Sequence, residues 1–190
     1  MESNQISASS VKLIRKLLLP KNSLNVSHHP TVYTMAGIPG SGKTTFVNKM
    51  LSQGEFPQNA FILNPDNIME ALPEYQDEVL SSGKIKAFEL YEVPARELAY
   101  QLLEDVIEIN ADIIIDMGSA RLENYELLKR LKKLGYYVKM YWIDISIEEA
   151  LARIKLRNRY TPDSMIIERY VMLGKLQDNY RCIADEFYKV

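Results

Sequence analysis

One cysteine, two histidines and no sustained apolar run are what the 190-residue sequence has least of. Cys182 alone cannot close an internal disulfide, which excludes a disulfide-stapled secreted scaffold. His28 and His29 have no cysteine or acidic residue at metal-ligand spacing and read as solvated loop residues. No apolar stretch approaches the roughly 20 residues of a transmembrane helix. Residues 1–10 are polar and lack the apolar segment of a secretory signal. An excess of one charge is missing too, since 23 Lys+Arg against 25 Asp+Glu leave −2. Bulk electrostatic coating of nucleic acid or of an anionic membrane is thereby excluded, while a local basic groove is not. Internal repeats and low-complexity segments are also absent. The expectation is a cytoplasmic protein without a membrane partner.

What is present suffices for one core. Hydrophobic residues make up 47% and charged residues 25%, as in an ordinary globular domain. Residues 1–30 read as an appendage: a helix with Val11, Ile14, Leu17 and Leu18 on one side, stopped by Pro20, then a loop. The helix is expected to pack peripherally on the rest. From Thr31 onward strands alternate with helices. Apolar runs at 32–36, 60–63, 112–116 and 137–143 read as strands, and 44–51, 89–109, 123–134 and 147–157 as helices. Pro94 should start or bend the second of these helices, and Pro162 could open a further one. Residues 186–190 read as a fifth strand or a frayed end. Ile113, Ile114 and Ile115 are too apolar for a half-exposed strand and suit the centre of a parallel sheet. The fold class is α/β, a three-layer sandwich with a mainly parallel sheet over residues 31–190.

The most informative segment is Gly37-Ile38-Pro39-Gly40-Ser41-Gly42-Lys43-Thr44, which fits G-x-x-x-x-G-K-[ST]. It follows an apolar strand and opens an apolar helix, as phosphate binding requires. Gly37, Gly40 and Gly42 let backbone N–H groups wrap a phosphate, and the helix N-terminus adds partial positive charge. Lys43 is expected at the β- and γ-phosphates, and the Thr44 hydroxyl at Mg²⁺. Pro39, Ser41 and Thr45 complete the expected ATP contacts within this segment. A guanine-reading Asn-Lys-x-Asp segment is absent, which argues against a GTPase switch.

A kinase also needs a proton acceptor and cations around the transferring group. Candidates fall at the carboxyl ends of strands, where open α/β sheets bind ligands. Asp66 follows the second strand, Asp116 ends the third, and Arg121 lies just beyond it. Each has a plainer reading: Asp66 could cap the helix 67–72, and Arg121 could be a surface residue. Arg153, Lys155, Arg157 and Arg159 form either a solvated helix face or a lid near 153–162 that closes over ATP. Glu89, Glu92, Arg96 and Tyr100 share roughly one helix face, as acceptor contacts or as a solvent-facing ladder. Met117 and Tyr75 read as packing residues.

Together these pieces resemble the zeta-toxin-like P-loop kinases over about residues 31–180. The carrying segments are AGIPGSGKTTF at 36–46, NPDNIMEALPEY at 64–75, ADIIIDMGSAR at 111–121 and LARIKLRNRYTP at 151–162. The resemblance implies ATP and Mg²⁺, with Asp66 as catalytic base and Asp116 near substrate or metal. It makes Lys43, Arg121, Arg157 and Arg159 the catalytic cations, with Arg153 beside the ATP. Asp66, Arg96, Asp116, Ser119 and Arg121 are the substrate-binding candidates, and Thr44 and Asp116 the metal-binding ones. It also implies a small-molecule acceptor of the UDP-N-acetylamino-sugar class and an antitoxin-type protein partner. Where the family often carries an Asp/Glu-Gly-Thr segment, this chain has Asp116-Met117-Gly118-Ser119. The same elements resemble phage-type polynucleotide 5′-kinases and small antibiotic phosphotransferases. A polynucleotide 5′-hydroxyl kinase is therefore one alternative function, with the 153–159 cation cluster beside it and nucleic acid the less favoured partner. A nucleotide-binding regulatory protein with little catalysis, motivated by the amphipathic N-terminal helix, is the other.

Overall fold

The structure, a computed structural model, describes residues 6–19, 24–156 and 163–190. Five strands among them form one parallel sheet. They are β1 (Thr31–Ala36), β2 (Phe61–Leu63), β3 (Ile113–Ile115), β4 (Tyr137–Trp142) and β5 (Glu186–Lys189), in the order β2-β3-β1-β4-β5. β1 lies between β3 and β4, with Val32 beside both Ile113 and Val138. The C-terminal segment is a strand, not a frayed end, because Glu186 to Lys189 pair in parallel with Lys139 to Trp142. All three β3 isoleucines are buried, as a strand covered on both faces requires.

The helices are α1 (Ala8–Leu18), α2 (Lys43–Ser52), α3 (Pro65–Ala71), α4 (Pro73–Ser82), α5 (Lys84–Glu108), α6 (Leu122–Lys133), α7 (Ile147–Lys155) and α8 (Asp163–Ile183). On one sheet face Val32, Leu63, Ile115, Val138 and Met140 pack with Leu98, Leu102 and Val106 of α5 and Leu128 and Leu131 of α6. On the other, Met35 and Ile114 meet Val47 of α2 and Phe56. Each fully buried leucine or isoleucine here contributes about 1.5–3 kcal/mol. The resulting core fixes the ends of β1, β2 and β3, which carry the site.

Three local features differ from the sequence expectation. Residues 73–82 form the separate helix α4, started by Pro73 at its first position, where the missing N–H costs nothing. α5 begins at Lys84, so Pro94 lies inside the helix instead of at its start. Its buried face also runs through the small residues Ala87, Ala95 and Ala99, which admit close approach of α3 and α4. Val93 and Ile109 are exposed instead. In α1, Ile14 is fully buried but Leu17 points outward, because Ser10 and Ile14 set the inward stripe at i, i+4. Ser10 Oγ donates to the Glu74 carboxylate of α4, and Ser7 N–H adds a second bond to it. Among the described residues, no helix is long and apolar enough to cross a membrane.

Candidate active site

The strand ends deliver three loops to one cavity of roughly 460 Å³. β1 runs into the glycine-rich loop, which turns at Gly40 (φ +86°) and Gly42 (φ +94°). A side chain at Gly40 would also meet the Ala150 carbonyl at 2.8 Å, so strain and space both require glycine there. Gly42 caps α2 without any side-chain hydrogen bond, leaving the helix N-terminal donors for a ligand. The Lys43 ammonium lies across this loop and donates to the carbonyls of Gly37 (3.0 Å) and Ile38 (2.9 Å). Gly37, Pro39, Gly40, Gly42, Lys43 and Thr44 line the cavity. Ser41 is buried beneath the loop, its hydroxyl close against Gly37, and Thr45 is exposed in the first turn of α2. Arg153 approaches from α7, with Nη1 3.5 Å from the Gly40 carbonyl and 3.4 Å from that of Ser41, and Nη2 pairs with Glu149.

Beyond β2, Asn64 settles what Asp66 does in the helix. The Asn64 side-chain carbonyl accepts from the N–H groups of Asp66 and Asn67, with Pro65 as the first residue of α3. The cap is therefore Asn64. Asp66 sits within the first turn, half-buried, and lines the cavity.

Asp116, at the end of β3, is buried and lies between the loops. Its Oδ2 accepts from the Thr44 hydroxyl and from the Asn64 amide, both at 2.8 Å. Its Oδ1 is buried without a hydrogen-bond partner. Burial raises the Asp116 pKa above the ordinary carboxylate range, against the lowering effects of the Thr44 bond and the Lys43 charge. A buried oxygen with no donor, next to a threonine hydroxyl, suits a hard divalent cation such as Mg²⁺. Among the described residues no group of three or more His, Cys, Asp or Glu could hold a metal. Phosphate and water oxygens would therefore complete the shell, as Mg²⁺ prefers.

The far wall comes from α5, α6 and α8. Glu92, Arg96 and Tyr100 of α5 all line the cavity, and Arg96 pairs with Glu92. Glu89 of the same predicted face is exposed outside the lining. Arg121 occupies the cap position of α6 and also lines the cavity. Opposite stands Arg169 of α8, which carries no local sequence motif. The Arg96 and Arg169 pKa values are lowered, in each case first by burial and next by the Arg121 charge. Cations crowded this closely at a cavity wall mark a place for an anion.

Two expectations change here. The Ser119 hydroxyl is not available to a substrate: it donates to the buried Met35 carbonyl at 2.7 Å, because the turn directs it into the sheet. Met117 lines the cavity as well as touching the core. Tyr75 packs edge-on against Tyr91. Arg157, Arg159 and most of the expected lid lie outside the described residues. The residues missed are Asn64, whose place before Pro65 is a legible cap signal, and Arg169, which only the tertiary fold brings to the cavity.

Comparison with solved structures finds the same fold. A chain of the PezAT chromosomal toxin–antitoxin system of Streptococcus pneumoniae is 20% identical, with TM-score 0.76, over 100% of this chain and 79% of that one. A chain of the AvrRxo1-ORF1:-ORF2 complex solved with ATP is 16% identical, with TM-score 0.63, over 92% of this chain and 55% of that one. A chain of the Pnkp1/Rnl/Hen1 RNA repair complex is 17% identical, with TM-score 0.56, over 82% of this chain and 47% of that one. This chain thus spans about half the length of the latter two. A search of curated protein sequences finds no match. Among known families, the one described as Zeta toxin matches residues 16–190. The glycine-rich loop, the parallel sheet and this match together establish that the chain belongs to the zeta toxin family of P-loop kinases.

Proposed function

We propose that this chain transfers the γ-phosphate of ATP to a hydroxyl of a small molecule, with an amino-sugar nucleotide as the acceptor class that the family favours. The observation that carries this reading is a single cavity with the glycine-rich loop on one side and Asp66, Arg96, Arg121 and Arg169 on the other. Donor and acceptor can meet there without crossing solvent.

On this reading the loop amides and Lys43 hold the β- and γ-phosphates, Lys43 exchanging the Gly37 and Ile38 carbonyls for phosphate oxygens. Mg²⁺, held by Thr44 and Asp116, would supply charge neutralisation on those phosphates. Asp66 accepts the proton of the acceptor hydroxyl. Arg121 and Arg169 stabilise charge on the transferring group, and Arg96 orients an anionic part of the acceptor, such as a diphosphate. Arg153 steadies the loop from α7, with Arg157 and Arg159 as further catalytic cations. An antitoxin-type protein is the partner this reading brings with it, supported by the likeness to a chain of a toxin–antitoxin system.

The test is incubation with γ-labelled ATP and a panel of UDP-sugars, nucleosides, aminoglycosides and a 5′-hydroxyl oligonucleotide. Label on the UDP-sugars alone is the expected result, and label on the oligonucleotide alone would replace it with the polynucleotide reading. Asp66→Asn should bind ATP as before and lose about 10³-fold in transfer. Unchanged turnover in that variant would remove Asp66 as the base.

A further inference from the structure

Residues 116–121 form a turn with a cavity-lining residue at each end, Asp116 and Arg121. Its middle is held in an unfavourable shape. Ser119 has φ +53°, left-handed for a residue with a Cβ, yet it is neither glycine nor asparagine. Two buried hydrogen bonds hold it there. Its hydroxyl donates to the Met35 carbonyl of β1, and its own carbonyl accepts from the Tyr180 hydroxyl, each at 2.7 Å. Next to it the Gly37 N–H donates to the Gly118 carbonyl at 3.2 Å, so the turn also rests on the glycine-rich loop.

Tyr180 belongs to α8, the helix that brings Arg169 to the cavity. Its ring is fully buried, edge-on to Tyr125 of α6 at 5.7 Å and tilted on Trp142 of β4 at 6.5 Å. With the ring fixed by packing, the hydroxyl has one place to go. Burial also raises the Tyr180 pKa, which keeps the phenol a donor throughout the physiological range.

We propose that Tyr180 is a positioning residue for phosphoryl transfer: from α8 it latches Ser119 in its left-handed conformation and thereby aims Asp116 and Arg121 into the cavity from the two ends of one turn. The latch also links the turn to the helix bearing Arg169, so the two arginines keep their spacing. This rests on the transfer reading above, but the latch itself can be measured without any acceptor.

The experiment compares wild type, Tyr180→Phe, and Tyr180→Phe combined with Ser119→Gly. Hydrogen exchange of the amides in 116–121 is the first readout, and it needs neither ATP nor acceptor. The phenylalanine variant keeps the packed ring, and its exchange should rise about ten-fold in this turn while α5 and α6 stay protected. Equal exchange in wild type and Tyr180→Phe would overturn the latch, as would a rise spread evenly over the core. The second readout is steady-state transfer from ATP to UDP-N-acetylglucosamine. There kcat should fall about ten-fold in Tyr180→Phe with the acceptor KM little changed, since Asp116 and Arg121 act on the transferring group, and glycine at 119 should recover at least half of that loss. Absence of rescue, or a change confined to the KM values with kcat unchanged, would reject the positioning role. If wild type itself leaves this sugar nucleotide unlabelled, the function reading fails while the exchange result still decides the latch.

Discussion

Between Gly37 and Thr44 the cavity wall is mostly backbone, whereas from Asp66 to Arg169 it is made of side chains delivered by α3, α5, α6 and α8. The first wall has its chemistry written into consecutive residues, since glycine geometry and a helix N-terminus suffice to present N–H donors. The second depends on where separate helices settle against the sheet. One wall therefore suits a ligand common to many proteins, and the other a ligand particular to this one.

The contrast can be broken by exchanging one group on each wall. Of the two exchanges Lys43→Ala should cost more, about 10²–10³-fold in turnover, by removing a charge that no neighbouring amide replaces. Melting temperature should hold within a degree or two, since the ammonium's hydrogen bonds to the Gly37 and Ile38 carbonyls and to the Ser41 hydroxyl stay within its own loop. Arg169→Gln should cost about ten- to hundred-fold in transfer. It should leave stability level or slightly raised, because it relieves repulsion from Arg121. A clear loss of stability would mean that Arg169 is structural and that the second wall is misread.

Asp116→Asn should shift stability in the direction opposite to its effect on activity. A carboxyl whose folded pKa is raised favours its protonated form in the native state. The native state therefore loses stability as pH climbs from the unfolded value near 3.8 through the higher folded value. At neutral pH the asparagine variant should therefore be the more stable, with the higher Tm, and the difference should vanish as pH falls below the unfolded value near 3.8. Metal-dependent transfer should be lost. Thermal denaturation at the two pH values, beside a transfer assay, checks both halves.

The sheet and the glycine-rich loop were legible because their signals are local: apolar runs of strand length, and a spacing that one loop must satisfy. The C-terminal strand was undecided, since pairing with β4 is a property of the sheet and not of residues 186–190. Helix α4 has no unambiguous local signal, because Pro73 can be read either as a break or as a start. In the site, Asp66, Asp116 and Arg121 were placed by the rule that strand ends carry function. Ser119 reads as a substrate-binding candidate because nothing in Asp116-Met117-Gly118-Ser119 announces a left-handed residue. Arg169 had no signal within reach, lying in a long helix whose charged residues look alike from sequence.

Asn64 has a consequence of a different kind. Its amide has a fixed polarity, with the oxygen toward the N–H groups of α3 and the nitrogen toward Asp116. Conversion to aspartate would set two carboxylates side by side at the ends of β2 and β3. Asparagine side chains ordinarily age into aspartate when the next residue's backbone nitrogen attacks the amide and closes a ring. Here that nitrogen belongs to Pro65, which has no proton to give up. The residue that starts the helix thus also protects, over the lifetime of the protein, the amide on which both sides of the site depend.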